Sequence, residues 1–314
     1  MTDEKIKKKK NLSNQDSAWK DVLTNLFPQF LQFFFPELYQ EIDFSKKPVF
    51  LDKEFEKIIK ESKISKRFAD KLVRVYLKDG SVKWLILHIE IQGKKEKKFA
   101  ERIYIYNYKI FDRYHKDVIS LVILTDKNKK FRPDIYQVKR AGFNLTFQFP
   151  LVKIIDYQNR TEELEHNSNP FAIIVLTYVK LFQLKKDNDK KLSLKILVSK
   201  SVYEKKFSRK EALNILRFVD WIITLPVELE KKYEEEIRIF EGVKQMPYVT
   251  TFEKSAFKKG IEKGIEKGIE KGIEKGRMEM AHKMLEDKVD INLIVKYTGL
   301  MIEEIKELIK KDRD

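Results

Sequence analysis

Apolar residues recur with helical spacing at both ends of this chain and with strand-like patterns between. From Asp16 to Leu38, DSAWKDVLTNLFPQFLQFFFPEL has helical spacing, broken at Pro28 and closed at Pro36, with Ser13 or Asp16 able to cap its start. DKEFEKIIKE predicts a second helix over 52–61. Two β-rich runs follow, 71–78 and 83–92, joined through Asp79-Gly80-Ser81, a strong hairpin signal. KKFAERIYIYNYKIFDRYH, from Lys97, has the length of a helix, although Ile103–Tyr108 alternates like a strand. The continuous apolar run 117–125 predicts a buried strand, and NLTFQFPLVKIIDY one or two more. From Asn169 onward the period is helical, in NPFAIIVLTYVKLFQL, DKKLSLKILVSKSVY and RKEALNILRFVDWIITLP. The pattern divides the chain into 1–165, an α/β domain with N-terminal helices, 166–252, helices packed on that core, and 253–314, a repeat and helical tail.

The run WLILHIEIQ, 84–92, poses a chemical question. Alternate side chains of a strand point to opposite faces. Leu85, Leu87, Ile89 and Ile91 then form one wholly apolar face, and Trp84, Ile86, His88, Glu90 and Gln92 the other. If helices cover both faces, Glu90 lies at the edge of a core, where a bare carboxylate is costly unless something cationic holds it. The plainer reading is an amphipathic strand whose polar end meets water.

Register decides whether Glu90 meets a second carboxylate. A two-residue Asp79-Gly80 turn pairs 78 with 81 and places Asp70 opposite 89, on the wrong face. A three-residue loop pairs 78 with 82 and brings Asp70 opposite Glu90; any odd loop, or one bulge, does the same. A type I turn with a glycine bulge suits the sequence, so an odd loop or bulge is expected, with Asp70, Glu90 and Gln92 at one end of the hairpin. Two close carboxylates repel, and a divalent cation relieves that. Oxygen ligands suit Mg²⁺, with Mn²⁺ as an alternative, and such an ion can activate water against a phosphodiester. His88, on the same face, could support the site or act as a general base; a lone strand histidine is more often a packed, hydrogen-bonded residue.

Composition adds limits. The 314 residues contain no cysteine, which excludes disulfides and thiolate metal sites. The N-terminus is basic with no apolar run behind it, and FPQFLQFFFP is too short to cross a bilayer, so a cytoplasmic protein with no membrane partner is expected. The formal net charge of +16 attracts nucleic acid. Lysine far outnumbers arginine, however, and Ile, Asn, Phe and Tyr abound, a mix an AT-rich genome produces whatever the function.

Near the C-terminus a Gly-Ile-Glu-Lys unit repeats every four residues. On a helix each unit advances roughly 40° beyond a full turn, so Ile261, Ile265, Ile269 and Ile273 wind around it rather than face one partner. The array reads as repeat slippage in the gene tolerated in a solvent-exposed tail, with a spacer or weak self-association segment as the alternative. VDINLIVKYTGLMIEEIKEL resembles a helix-turn-helix with Thr298 as the second helix's N-cap, but Glu303, Glu304 and Glu307 make that helix a poor DNA surface. Helical packing or homo-oligomerisation suits it better.

The layout of Asp70, a hairpin, Glu90-x-Gln92 ending a strand, a helix and another strand resembles the PD-(D/E)XK nucleases. The strings DSAWKDVL, FFFPE, EIDFSK, FLDKEF, ADKLVRV, HIEIQG, FAERIYIYNY, FRPDIY and NPFAIIV resemble, through about Thr250, the Rpn family of recombination-promoting nucleases, also described as transposases. That resemblance implies a restriction-endonuclease-like α/β fold, a mixed central sheet flanked by helices, with a helical C-terminal region and tail. It implies a Mg²⁺-dependent endonuclease acting on DNA, with Asp70 and Glu90 as metal ligands and Gln92 where most of the superfamily has lysine. Asp16 is the candidate for a further acidic ligand from the first helix. Arg102 is a candidate phosphate contact or else a surface helix residue, and Tyr104, Tyr106 and Tyr108 could stack on DNA or belong to the core. A catalytically inactive DNA-binding or assembly protein on the same scaffold is the alternative.

Overall fold

The computed structural model describes residues 18–61, 71–79, 84–184, 187–205, 207–243, 276–287, 289–300 and 305. The chain forms two compact units, 1–247 and 248–314.

The first unit begins with α1 (18–25), α2 (Phe27–Phe34) and α3 (Pro36–Glu41). The expected helical run, broken at Pro28, is thus three short helices. Pro28 lies in the first turn of α2, where its missing N–H goes unneeded. Pro36 does not close the helical region, as expected, but opens α3, because a residue before proline is pushed out of the helical conformation and Phe35 takes φ −139°. Then come β1 (Val49–Phe50), α4 (Asp52–Glu61), β2 (Lys71–Tyr76), β3 (Trp84–Gln92), α5 (Phe99–Tyr114) and β4 (Val118–Leu124). Helix α5 absorbs the alternating stretch 103–108: Ile103, Tyr106 and Ile110 are buried at spacings of three and four.

Strands β5 (Ile135–Arg140) and β6 (Phe143–Gln148) pair only with each other; β6 falls in the run expected to add strands, whereas β5 was not expected, most of its residues being exposed. Strand β7 (Leu151–Lys153) returns to the main sheet. A 3-10 turn and the helices α6 (Thr161–His166), α7 (Pro170–Gln183), α8 (Asn188–Glu204), α9 (Arg209–Ile222) and α10 (Val227–Val243) complete the unit. Asn169, Asp187 and Ser208 cap α7, α8 and α9, each accepting a backbone N–H that the first turn would otherwise leave orphaned.

The five-stranded sheet has the order β1-β2-β3-β4-β7 and is mixed: β1, β2 and β3 are antiparallel neighbours, whereas β3, β4 and β7 run parallel. One face of the sheet carries Val73, Leu87, Ile89 and Ile123 and shares a core with the N-terminal helices, α7 and α9, through Trp19, Phe30, Phe171 and Phe218. The opposite face lies under α4 and α5, where Leu72 and Ile86 meet Phe55, Ile58, Tyr106 and Ile110. Helices therefore cover both faces, and β3 has the two-sided character its alternation predicts.

In the second unit α11 (276–286) precedes α12 (Ile291–Thr298), and Ala281, Ile294, Leu300 and Ile305 form its core. Thr298 is the last residue of α12; its hydroxyl donates to Ile294 O at 2.7 Å and accepts from Leu300 N at 3.3 Å, and the helix it is expected to cap lies, save residue 305, outside the described residues. The Gly-Ile-Glu-Lys array, save Gly276, and Glu303, Glu304 and Glu307 lie outside the described residues. Among the described residues no helix is long and apolar enough to cross a membrane.

Candidate functional site

The hairpin register comes first. Lys71 pairs with Ile89, Val73 with Leu87 and Tyr76 with Trp84. This is the register that an odd loop or bulge imposes, not that of a two-residue turn. Asp70 and Asp16 themselves lie outside the described residues.

Glu90 and Gln92 stand at the C-terminal end of β3, beside Val122 and Leu124 of the parallel β4. In open α/β sheets ligands gather at the carboxyl ends of parallel strands. Yet the end of β3 does not meet water: Glu90 is fully buried and Gln92 is 1% exposed. The cation that a buried carboxylate requires comes from Arg102, on the first turn of α5. Its Nη1 donates to Glu90 Oε1 at 3.0 Å, and its Nη2 donates to Gln92 Oε1 at 3.4 Å and to Glu96 Oε2 at 3.1 Å. Arg102 is 5% exposed, so it is not a surface helix residue but the hub of a buried network. Helical spacing puts it on the face of α5 turned to the sheet, beside Phe99 and Tyr106, whose rings lie 5.1 and 5.6 Å from its guanidinium carbon. Gln92 is fixed from its other end as well, Nε2 donating to Lys94 O at 2.6 Å.

His88 continues the polar face inward. Its ring packs against Phe55 and Tyr106, with centroids 5.1 and 5.6 Å away, and its Nδ1 lies 3.3 Å from Ser120 Oγ. Asn107 of α5 holds that serine, Nδ2 donating to Ser120 Oγ at 3.1 Å and to Val118 O at 2.9 Å. Burial lowers the His88 pKa to about 4, against the opposing pull of Glu90, so the ring is neutral at pH 7. The 3.8 Å approach of its Nε2 to Glu90 Oε2 is therefore not a charged pair at that pH. A shielded imidazole with so low a pKa is poorly suited to general-base work and well suited to packing.

Sequence reasoning missed Asn107, Ser120 and a second ionic pair. Lys153, on β7 and beside Leu124 in the register, is fully packed, its Nζ donating to Asp126 Oδ2 at 2.7 Å and to Phe131 O at 3.2 Å. Asp126 also accepts from Asn128 N at 2.7 Å, so the pair fastens the loop that follows β4. Its only signal was a lysine inside the apolar run LVKII. The rings of Phe99 and Phe131, 6.1 Å apart, stand between the two networks, with Arg102 over the first and Lys153 over the second.

The three tyrosines separate. Tyr106 is core, Tyr104 stacks on Tyr136 at 5.1 Å, and Tyr108 is 55% exposed. Among the described residues no group of three or more His, Asp or Glu side chains is arranged to hold a metal ion. The oxygens of Glu90, Gln92 and Glu96 do converge on one cation, the Arg102 guanidinium, and hard oxygen donors are the chemistry that Mg²⁺ takes.

Fold and site together define an α/β protein whose mixed sheet carries a buried carboxylate-guanidinium network at its parallel strand ends. Compared with known proteins, the chain matches no family model, no curated protein and no solved structure.

Proposed function

We propose that this chain is a Mg²⁺-dependent DNA endonuclease of the PD-(D/E)XK type, as its resemblance to the recombination-promoting nucleases implies. The observation that supports the reading is the hairpin register, in which Lys71 pairs with Ile89, the offset that an odd loop or a bulge produces. In this proposal Asp70 and Glu90 hold the cation, and Gln92 orients the attacking water by hydrogen bonding without adding charge. A cation there supplies an acidified water and charge neutralisation at the phosphodiester. Arg102, which donates to Glu90 and Gln92, would orient both side chains toward a bound cation.

Plasmid cleavage by the purified protein, with Mg²⁺, Mn²⁺ or EDTA, tests the reading beside Asp70→Ala and Glu90→Ala. Metal-dependent nicking lost in both variants is the expected result. Cleavage that neither variant changes would remove these residues from the site.

One observation favours the second reading, a non-catalytic DNA-binding or assembly protein. Glu90 is already neutralised and buried by Arg102, as a purely architectural carboxylate would be. Under that reading no form cleaves, and calorimetry finds no Mg²⁺ or Mn²⁺ binding that Glu90→Ala abolishes.

A further inference from the structure

We propose that the β5–β6 hairpin is a two-stranded ribbon that enters the major groove of duplex DNA. The proposal rests on the DNA reading above and adds the surface by which duplex would be held. Arg140 pairs with Phe143, so the strands join through Ala141 and Gly142 alone, both at positive φ (48° and 83°), the signature of a tight type I′ turn. The inner face anchors the ribbon to the body of the first unit: Tyr136 stacks on Tyr104, and the Phe147 ring lies 5.5 Å from Tyr104 and 5.6 Å from Phe149.

The outer face is exposed and polar. Lys139 faces Asn144 across the ladder and Gln137 faces Thr146, the amide of Gln137 donating to the threonine hydroxyl at 3.0 Å. These are side chains that read base edges, amides at adenine and lysine or arginine at guanine. The tip adds Arg140 and a 60% exposed Phe143. Charge complementarity supports the same occupant: from Ile135 to Ile155 the sequence has no Asp or Glu, and Lys129 and Lys130 are exposed on the loop leading into β5. Dimensions agree, since six residues of strand span roughly 20 Å and a two-stranded ribbon fits a major groove about 12 Å wide. The deep, narrow groove of an RNA duplex would not admit it.

Fluorescence anisotropy of the full-length protein on a labelled DNA duplex, in EDTA to prevent hydrolysis and across a salt series, tests the proposal. Lys139→Ala with Arg140→Ala should weaken binding at least tenfold and flatten the log–log salt slope by about 0.9 for each of the two that contacts phosphate. All substituted positions are exposed, and circular dichroism checks the fold. Asn144→Lys and Asn144→Glu give a second reading in opposite directions, the first tightening and the second weakening binding. Affinity and slope unaltered in these variants, or equal affinity for an RNA duplex, would overturn the ribbon. The nuclease reading fails separately: duplex binding that depends on the hairpin, without any metal-dependent cleavage, supports the ribbon and counts against the enzyme. A wild-type protein that cleaves single strands but binds no duplex does the reverse.

Discussion

On one face of β3, Leu85, Leu87, Ile89 and Ile91 meet the N-terminal helices and α7; on the other, His88, Glu90 and Gln92 are shut away as thoroughly under α4 and α5. The apolar face is stabilised by area, at about 25 cal/mol per Å² removed from water, and small changes of shape there are partly absorbed by neighbours. The polar face must be satisfied bond by bond. Arg102 matches Glu90, Ser120 matches His88, and Asn107 matches Ser120. Equal burial thus hides unequal fragility, and a face so expensive to assemble marks the place where something other than stability is at stake.

The largest effect should come from separating the charges. Arg102→Met keeps much of the side-chain volume and removes the guanidinium from Glu90, which should cost about 3–5 kcal/mol of unfolding free energy in urea titrations. Adding Glu90→Met should recover most of that loss, because the replaced pair no longer has to be desolvated; no recovery would mean that the two residues are not energetically coupled.

On the apolar face, Leu87→Ala should cost about 2–5 kcal/mol through lost burial and a residual cavity. Its cost should be the same at pH 7.5 and pH 4.5, since no titrating group is removed. A strong pH dependence would show that the two faces are not independent.

A smaller effect isolates His88. Its pKa is about 4 in the fold and 6.5 in the unfolded chain, so between those values the unfolded state binds more protons. Stability from this group is complete above pH 6.5 and declines as pH falls towards 4. At about 1.4 kcal/mol per pKa unit, about 2–3 kcal/mol should be lost between pH 7.5 and 4.5. In His88→Gln that part of the acid sensitivity should vanish, which paired urea titrations at the two pH values would detect; an unchanged pH difference would place His88 in a more solvated setting.

Much of this comparison was legible before any fold was known. Alternation along WLILHIEIQ assigns Leu87 and Ile89 to one face and His88 and Glu90 to the other, and the argument from turn length gives the observed pairing of Lys71 with Ile89. The statement that Glu90 needs a cation was also sound, and Arg102 supplies it; the alternative of a surface helix residue fails because Arg102 shares the buried stripe of α5 with Phe99 and Tyr106. Strand β6 lies in a run expected to form strand, but β5 and its pairing escaped because the inner face is only half covered and the turn at Ala141-Gly142 lacks the usual asparagine or aspartate.

The sequence by itself determined the local elements, the two faces of β3 and the requirement that Glu90 be neutralised, since these follow from side-chain periodicity and the cost of a bare buried charge. Only the tertiary structure decided what meets that requirement: α5 lies across the sheet so that Arg102 reaches Glu90, Gln92 and Glu96 together, while Lys153 crosses to Asp126 just beyond the end of the adjacent β4. Such partners are chosen by how elements pack, and packing joins residues whose separation along the chain carries no trace of their contact.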